Sequence, residues 1–458
     1  MSTRPLQSPP TIKKRALLGW MMFDWAAQPF FTVILTFIFA PYFVARIADD
    51  PVVGQTAWAN TIAIGGLIVA IFSPLLGTIS DLSGPRKPWL MAFAIAKIIA
   101  LTALWWAVPN GDLWLPMAAI VVAMVAAEFS IVLNDSLMPS LINQQSLGRF
   151  SNYAWGLGYL GGLVTLFVVL LLLAEDANTG KTLLGIPSIL GLSTALGEDA
   201  RITGPFAALW YFLFILPLFF WTPDNVRRNS GVSLGQSWRT LLGTLKEVYH
   251  HLGLRRFLLA RMLYQDGVNG LLALGGAFAA VMFGWQTIEV GVYGILLLLI
   301  AIIGCAVAGR AEAAVGSKCL VLMSLIGLII ATLGIVSTGP GFTGFGLVTL
   351  SLEDAGGLFG TAAEKIYVAF GLLIGLTFGP VQASSRAYMA ASVSANEAGR
   401  FFGLYALSGR ATAFLAPLSV AWVTAWSEST RWGMSALIVF LILGFVLLCF
   451  TPYPANRR

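Results

Sequence analysis

GTISDLSGPRK, Gly77 to Lys87, is a compact polar turn between two long apolar runs, with glycines at 77 and 84, an acid at 81 and bases at 86 and 87. Half a chain later the stretch returns as GRAEAAVGSK, Gly309 to Lys318, which keeps glycines at i and i+7 and a base at i+9. The two copies lie 232 residues apart. A second pair agrees: Gly148-Arg149-Phe150 and Gly399-Arg400-Phe401 lie 251 residues apart, and the difference fits a longer connection near 339–364. Matching turns between apolar runs, offset by half the chain, are the sign of an internally duplicated helical membrane protein.

Composition fits that reading. Of 458 residues 58% are hydrophobic and only 10% charged, with a mean hydropathy of +0.83. Soluble proteins carry roughly 25% charged residues, so this chain would leave its apolar surplus facing water outside a bilayer. The start, MSTRPLQSPPTIKKR, is short, polar and basic. The apolar run after it is too long for a cleaved signal peptide and lacks a small-residue cleavage site. Cys305, Cys319 and Cys449 lie in or beside apolar runs without metal-ligand spacing and read as small hydrophobes.

A span needs about 20 residues at helical rise. Twelve such segments are expected: 17–43, 56–80, 89–108, 114–137, 152–174, 205–222, 257–283, 288–309, 319–338, 365–385, 401–424 and 432–450. Helix is required, because lipid offers backbone amides no partners. With the N-terminus inside, 19 of the 27 Lys and Arg fall on inner segments and five outside, while Lys97, Arg261 and Arg410 fall within spans. Both termini are therefore expected in the cytoplasm. The expected organisation is a six-helix bundle over 1–222, a cytoplasmic connection over 223–256, and a second six-helix bundle over 257–458. Within the connection, Leu234, Trp238, Leu241, Leu242, Leu245, Val248, Tyr249 and Leu252 follow 3–4 spacing, an amphipathic helix suited to the inner membrane surface. A docking site for another protein is the competing reading.

The turn at 77–87 resembles the G-x-x-x-D-x-x-G-x-[RK]-[RK] loop of the major facilitator superfamily, with Gly77, Asp81, Gly84, Arg86 and Lys87 matching. The second copy has Ala313 where the acid belongs and Glu312 one residue early. FDWAAQPFFTVILTFIFAPYF, ARMLYQDGVNGLLALGG and SSRAYMAASVSANEAGRFFGLYALSGRATAFLAP resemble segments of the autophagy-related vacuole-effluxer family within that superfamily. Where that family usually has Asn after Asp-Trp-Ala, this chain has Ala27. The resemblance implies two pseudo-symmetric six-helix bundles, a central cavity and alternating access. It also implies amino acids as one substrate class, since eukaryotic members are associated with amino-acid efflux from the vacuole.

A charged side chain at mid-span costs on the order of 3 kcal/mol by insertion scales, so the charged residues inside the spans are the candidate site. Asp24 lies nine residues past Arg15, roughly 14 Å into the membrane, and Asp266 lies ten past Arg256 on the equivalent helix. Gln28, one turn above Asp24, and Asn269, three residues past Asp266, offer each acid a polar neighbour. Span 4 adds Glu128, Asn134 and Asp135, with 128 and 135 on one helix face. Arg410 is placed as the basic pole opposite Asp24, a seat for a substrate carboxylate. Buried ion pairs that only fix helix register are the alternative. For Lys97 snorkelling or a structural pair competes with function, and for Arg386, at the inner end of span 10, loop anchoring competes with ligand contact.

The expected function is secondary transport of a small polar solute, with protons as the coupling ion. The rivals are export of drug-like or lipid-linked compounds, and a non-transporting membrane sensor or scaffold. Asp81 is expected to cap a helix or pair with Arg86, latching the halves on the cytoplasmic side, while Gly84 and Pro85 make the turn. Gly156-Leu-Gly158-Tyr-Leu-Gly161 fits a dinucleotide fingerprint, but no strand precedes it, and close helix packing explains it. The chain has no Walker loop, and its two histidines, His250 and His251, lie in the central connection. No cofactor, metal, nucleic-acid partner or enzymatic constellation is expected. The partners are a small-molecule substrate, protons and lipid, with a monomer in a bacterial cytoplasmic (inner) membrane.

Overall fold

The computed structural model describes residues 14–175, 180–224 and 233–452, and most of them are helical. The basic residues before 14, Arg227, Arg228 and the last two arginines lie outside the described residues. The long helices are α1 (Lys14–Pro29), α2 (Pro51–Ser83), α3 (Lys87–Ala103), α4 (Trp114–Leu141), α5 (Leu147–Val168) and α6 (Thr203–Trp221). After α7 (Leu234–His250) come α8 (Leu252–Phe283), α9 (Thr287–Ser337), α10 (Ala362–Ser392), α11 (Ala398–Ser408), α12 (Leu415–Ser427) and α13 (Thr430–Cys449). Among the described residues ten helical stretches are long and apolar enough to cross a membrane, and the one at Ile288–Ser337 has 50 residues and bends, so it serves two expected segments. The broken pair α11 and α12 falls on the eleventh expected segment.

Three details differ from expectation. The first helix does not stop near 43: it runs on past Pro29 through wide π-type turns at Phe30–Phe37 and Phe43–Ile47. The turn at Gly309–Lys318 is not a loop. Ala311, Glu312, Ala313 and Ala314 are good helix formers, and the chain stays helical through them until Gly316, whose φ of 79° bends α9. Residues 401–424 do not form one helix. Around Gly409 the bonds tighten to three-residue spacing, Gly409 N–H to Ala406 O (3.1 Å) and Arg410 N–H to Leu407 O (3.0 Å), and regular helix resumes only at Leu415. Glycine and threonine at 409 and 412 are weak helix formers, which favours the break there. In the connection after α9 a two-residue hairpin pairs Phe342–Thr343 with Val348–Thr349.

α7 begins with Ser233 accepting the Gln236 N–H (3.1 Å). Only Ser237, Leu241 and Thr244 are buried, while Leu234, Trp238, Leu242, Leu245 and Tyr249 are exposed. The apolar stripe thus points mostly away from the bundles, as an interfacial helix requires.

The two halves meet most closely through glycine at the end that carries the basic turns, called the basic end below. A Cβ on Gly77 of α2 would strike the backbone carbonyl of Gly399 on α11, and one on Gly309 of α9 would strike the Tyr153 ring and Arg149 carbonyl of α5. The sequence repeat is therefore a spatial one: each copy of the turn packs on the helix start of the opposite half.

Candidate functional site

Two ion-pair clusters cross between the halves. In the first, Arg386 of α10 is 3% exposed and donates through Nη1 to Asp24 Oδ2 (3.1 Å) on α1 and Asp135 Oδ1 (3.0 Å) on α4. Its Nε donates to Ser151 Oγ and its Nη2 to Ser151 O on α5, both at 2.9 Å. The Trp20 and Trp155 rings stand 5.0 and 5.8 Å from the guanidinium carbon. Trp20 is itself held by its indole N–H to Asn134 O (2.9 Å). A guanidinium suits this place because its planar fork reaches several acceptors at once.

In the second, Arg410 pairs with Glu128 of α4, and their side chains are 31% and 13% exposed. Arg410 sits in the break between α11 and α12, where the chain is free to turn its side chain across to the other half. Asp266 of α8 is 1% exposed, has no ion pair among the described residues, and lies against Thr412 of the same break.

These contacts correct several expectations. Arg410 is not the pole opposite Asp24; Arg386 is, and Arg410 answers Glu128 instead. Gln28 makes no bond to Asp24 but packs on Gly162 of α5. Asn269 accepts the Gln265 amide (2.9 Å) rather than serving Asp266. Asp24 and Asp266 are not equivalent in partners, since one has a guanidinium and the other a hydroxyl neighbour. Arg386 is no loop anchor: the apolar run Ala387–Ala391 beyond it was the signal that α10 continues, to Ser392. A second signal was available, because the offset of 251 that takes Gly148 to Gly399 also takes Asp135 to Arg386. The duplicated position carries opposite charges in the two halves, and they meet. Lys97 neither snorkels nor pairs. It is 1% exposed, with Nζ 4.0 Å from the Tyr211 ring centroid and 5.2 Å from that of Phe30, and no hydrogen-bond partner among the described residues.

At the basic end Asp81 accepts the N–H groups of Gly399 (2.9 Å) and Arg400 (2.8 Å), the first turn of α11, and also Arg86 Nη2 (2.8 Å). An acid there satisfies two orphan donors and complements the helix dipole. Gly84, at φ 95°, turns the chain. Asp224 accepts the N–H groups of Arg86 (2.8 Å) and Lys87 (3.0 Å), and Lys87 Nζ donates to Phe219 O (2.7 Å). The second copy has a counterpart that sequence reasoning passed over. Glu312, 5% exposed, accepts Asn152 Nδ2 (2.6 Å) of α5 and Ser384 Oγ (3.0 Å) of α10, and also bonds Ser317. Its carboxylate fills the space a Cβ on Gly148 would need. The acid displaced by one residue still docks on the opposite half.

A family profile described as "Vacuole effluxer Atg22 like" matches residues 55–458. The chain is 23% identical over 440 residues to an uncharacterized MFS-type transporter of Bacillus subtilis, covering 95% of this chain and 94% of that one. It is also 23% identical to autophagy-related protein 22 of Cryptococcus neoformans, covering 68% of this chain and 51% of the relative, so it spans about half the length of that fungal protein. Among solved structures, a human organic anion transporter superposes with a TM-score of 0.69 at 16% identity, over 96% of this chain and 100% of that one. A proton:xylose symporter superposes at 0.67 and 13% identity, over 96% and 95%. The fold is that of the major facilitator superfamily, and the Bacillus relative and both structural neighbours are transporters.

Proposed function

We propose that this chain, which belongs to the Atg22-like vacuole-effluxer family, carries a small polar solute across a bacterial cytoplasmic membrane by alternating access, driven by protons, with amino acids as the leading substrate class. It is a multi-pass membrane transporter of the major facilitator fold; solute, coupling ion, membrane and orientation are our reading. Residues 1–222 and 257–458 are the two moving bundles, 223–256 joins them on the cytoplasmic face, and both termini are cytoplasmic, in accord with the basic loops. The observation that carries this reading is the pair of crossings Arg386–Asp24/Asp135 and Arg410–Glu128, which tie the two halves together.

Arg410, the more open guanidinium, suits a substrate carboxylate. Asp24 and Asp266 are the acids available to a substrate ammonium or a proton. A carrier needs such groups to change partners as the bundles rock, and buried pairs that break leave uncompensated charge, so ligand or proton must replace the lost partner. Asp81 and Glu312 hold the cytoplasmic ends closed in the state described.

Purified protein in vesicles, loaded with unlabelled amino acids and given the labelled ones outside, should show counterflow. An inward acid gradient should drive accumulation. A thermal-shift panel of amino acids, dipeptides and sugars would choose the test solutes. Counterflow with sugars but not with amino acids would replace the substrate class. Absence of any pH-driven accumulation beside intact counterflow would remove proton coupling.

A further inference from the structure

Lys97 is the unexplained group of the first half. Its amine nitrogen lies wholly inside the bundle, among rings of α6 and the first helix, with no acceptor among the described residues. Burying an unpaired basic group is costly, so such a group is retained when something other than folding uses it. The charged group whose field reaches it is Glu128. The Phe93 and Phe129 rings meet edge to face at 5.4 Å; Phe93 is one turn before Lys97 on α3 and Phe129 follows Glu128 on α4, so the two charged residues lie on neighbouring helices within about one turn of each other. Glu128 is already engaged, to Arg410 of the other half, and that guanidinium is still 31% exposed. One acid therefore stands between two basic groups, one in its own bundle and one across the interface.

We propose that Lys97 is the reserve partner of Glu128: when the anionic group of a substrate takes Arg410, Glu128 leaves that guanidinium and turns to the Lys97 amine. The exchange keeps the acid paired in both states, so neither state carries a stripped buried carboxylate. It also makes an anionic group, such as a carboxylate, the feature the substrate must have. Lys97 acts as a positioning residue, through Glu128, and does not touch the solute. This rests on the transporter reading above, but its test needs no transport.

Arg410→Gln imitates the removal of Arg410 from Glu128. In that background Lys97→Met should lower the thermal midpoint of the purified full-length chain by several degrees, and adding Glu128→Gln should restore it. With Arg410 present, Lys97→Met should leave the midpoint unchanged or raise it, because an amine without an acceptor has been replaced by an apolar side chain of similar length. A fixed structural role on the Tyr211 ring would instead give the same loss in both backgrounds, whether or not Glu128 is present, and would overturn the proposal. So would failure of Arg410→Gln to fold while Glu128→Gln/Arg410→Gln folds, since Lys97 would then not have received the acid. Silent transport assays with this pattern of midpoints intact would count against the transporter reading and leave the exchange standing.

Discussion

Arg386 on the second half holds Asp24 on the first at 3.1 Å, and the same nitrogen holds Asp135 at 3.0 Å. One guanidinium thus ties two helices of one half to a helix of the other.

Loss of Arg386 should be more damaging than loss of either acid. Arg386→Gln leaves two carboxylates buried together, an expected cost of about 3–5 kcal/mol. Asp24→Asn/Asp135→Asn added to it should recover most of that. The check is the thermal midpoint of each variant in detergent; a triple variant no more stable than Arg386→Gln alone would show that the pairs are not what Arg386 supplies.

Asp24→Asn keeps the shape and removes a titrating group. If Asp24 carries the coupling proton, gradient-driven accumulation should vanish while counterflow survives. If it binds a substrate ammonium, both should fall. If it only pairs with Arg386, the variant should melt lower yet still accumulate solute. Vesicles assayed both ways separate the three, and full accumulation by the variant would end the coupling role.

The basic end should open when its glycine contact is filled. Gly77→Val drives a side chain into the Gly399 carbonyl, and Asp81→Ala removes the acceptor of two α11 donors, a cap worth roughly 0.5–2 kcal/mol. Both should raise the maleimide reactivity of a cysteine at Gln144, whose amide bonds Ala391 O across the halves at 3.3 Å. The background should carry Cys319→Ser and Cys449→Ser, since those two are exposed. Unchanged reactivity in both variants would leave Asp81 a local cap.

Glu312→Ala should act in the same direction as Asp81→Ala, because it frees Asn152 on the other half, along with Ser384 on its own. The double variant should open more than either single one. If Glu312→Ala changes nothing at Gln144, the second copy of the turn is a relic.

Orientation is checked in whole cells. A cysteine at Thr240 should resist an impermeant reagent added outside, whereas one at Leu190, which is 57% exposed, should react. The reverse pattern would invert the topology.

The sequence by itself determined the membrane class, the helical fold and its duplicated turns, because apolar length and the repeat of two short turns are local properties that lipid turns into helices. It also marked most of the charged residues, since a charge inside a span is conspicuous wherever it ends up. Partners were another matter. Arg386 finds Asp24 and Asp135, and Glu128 finds Arg410, across hundreds of residues, and the choice depends on how the two halves face each other. Depth and residue type favoured Arg410 over Arg386 as the pole opposite Asp24; only packing decides which acid each one meets. The break at 409–414 and the bend at Gly316 were equally out of reach, because a helix yields where neighbouring helices gain by it, and weak helix formers only permit it. Lys97 shows the limit most plainly: that it is buried, flanked by aromatic rings and left without an acceptor among the described residues follows from three helices at once and from no stretch of sequence.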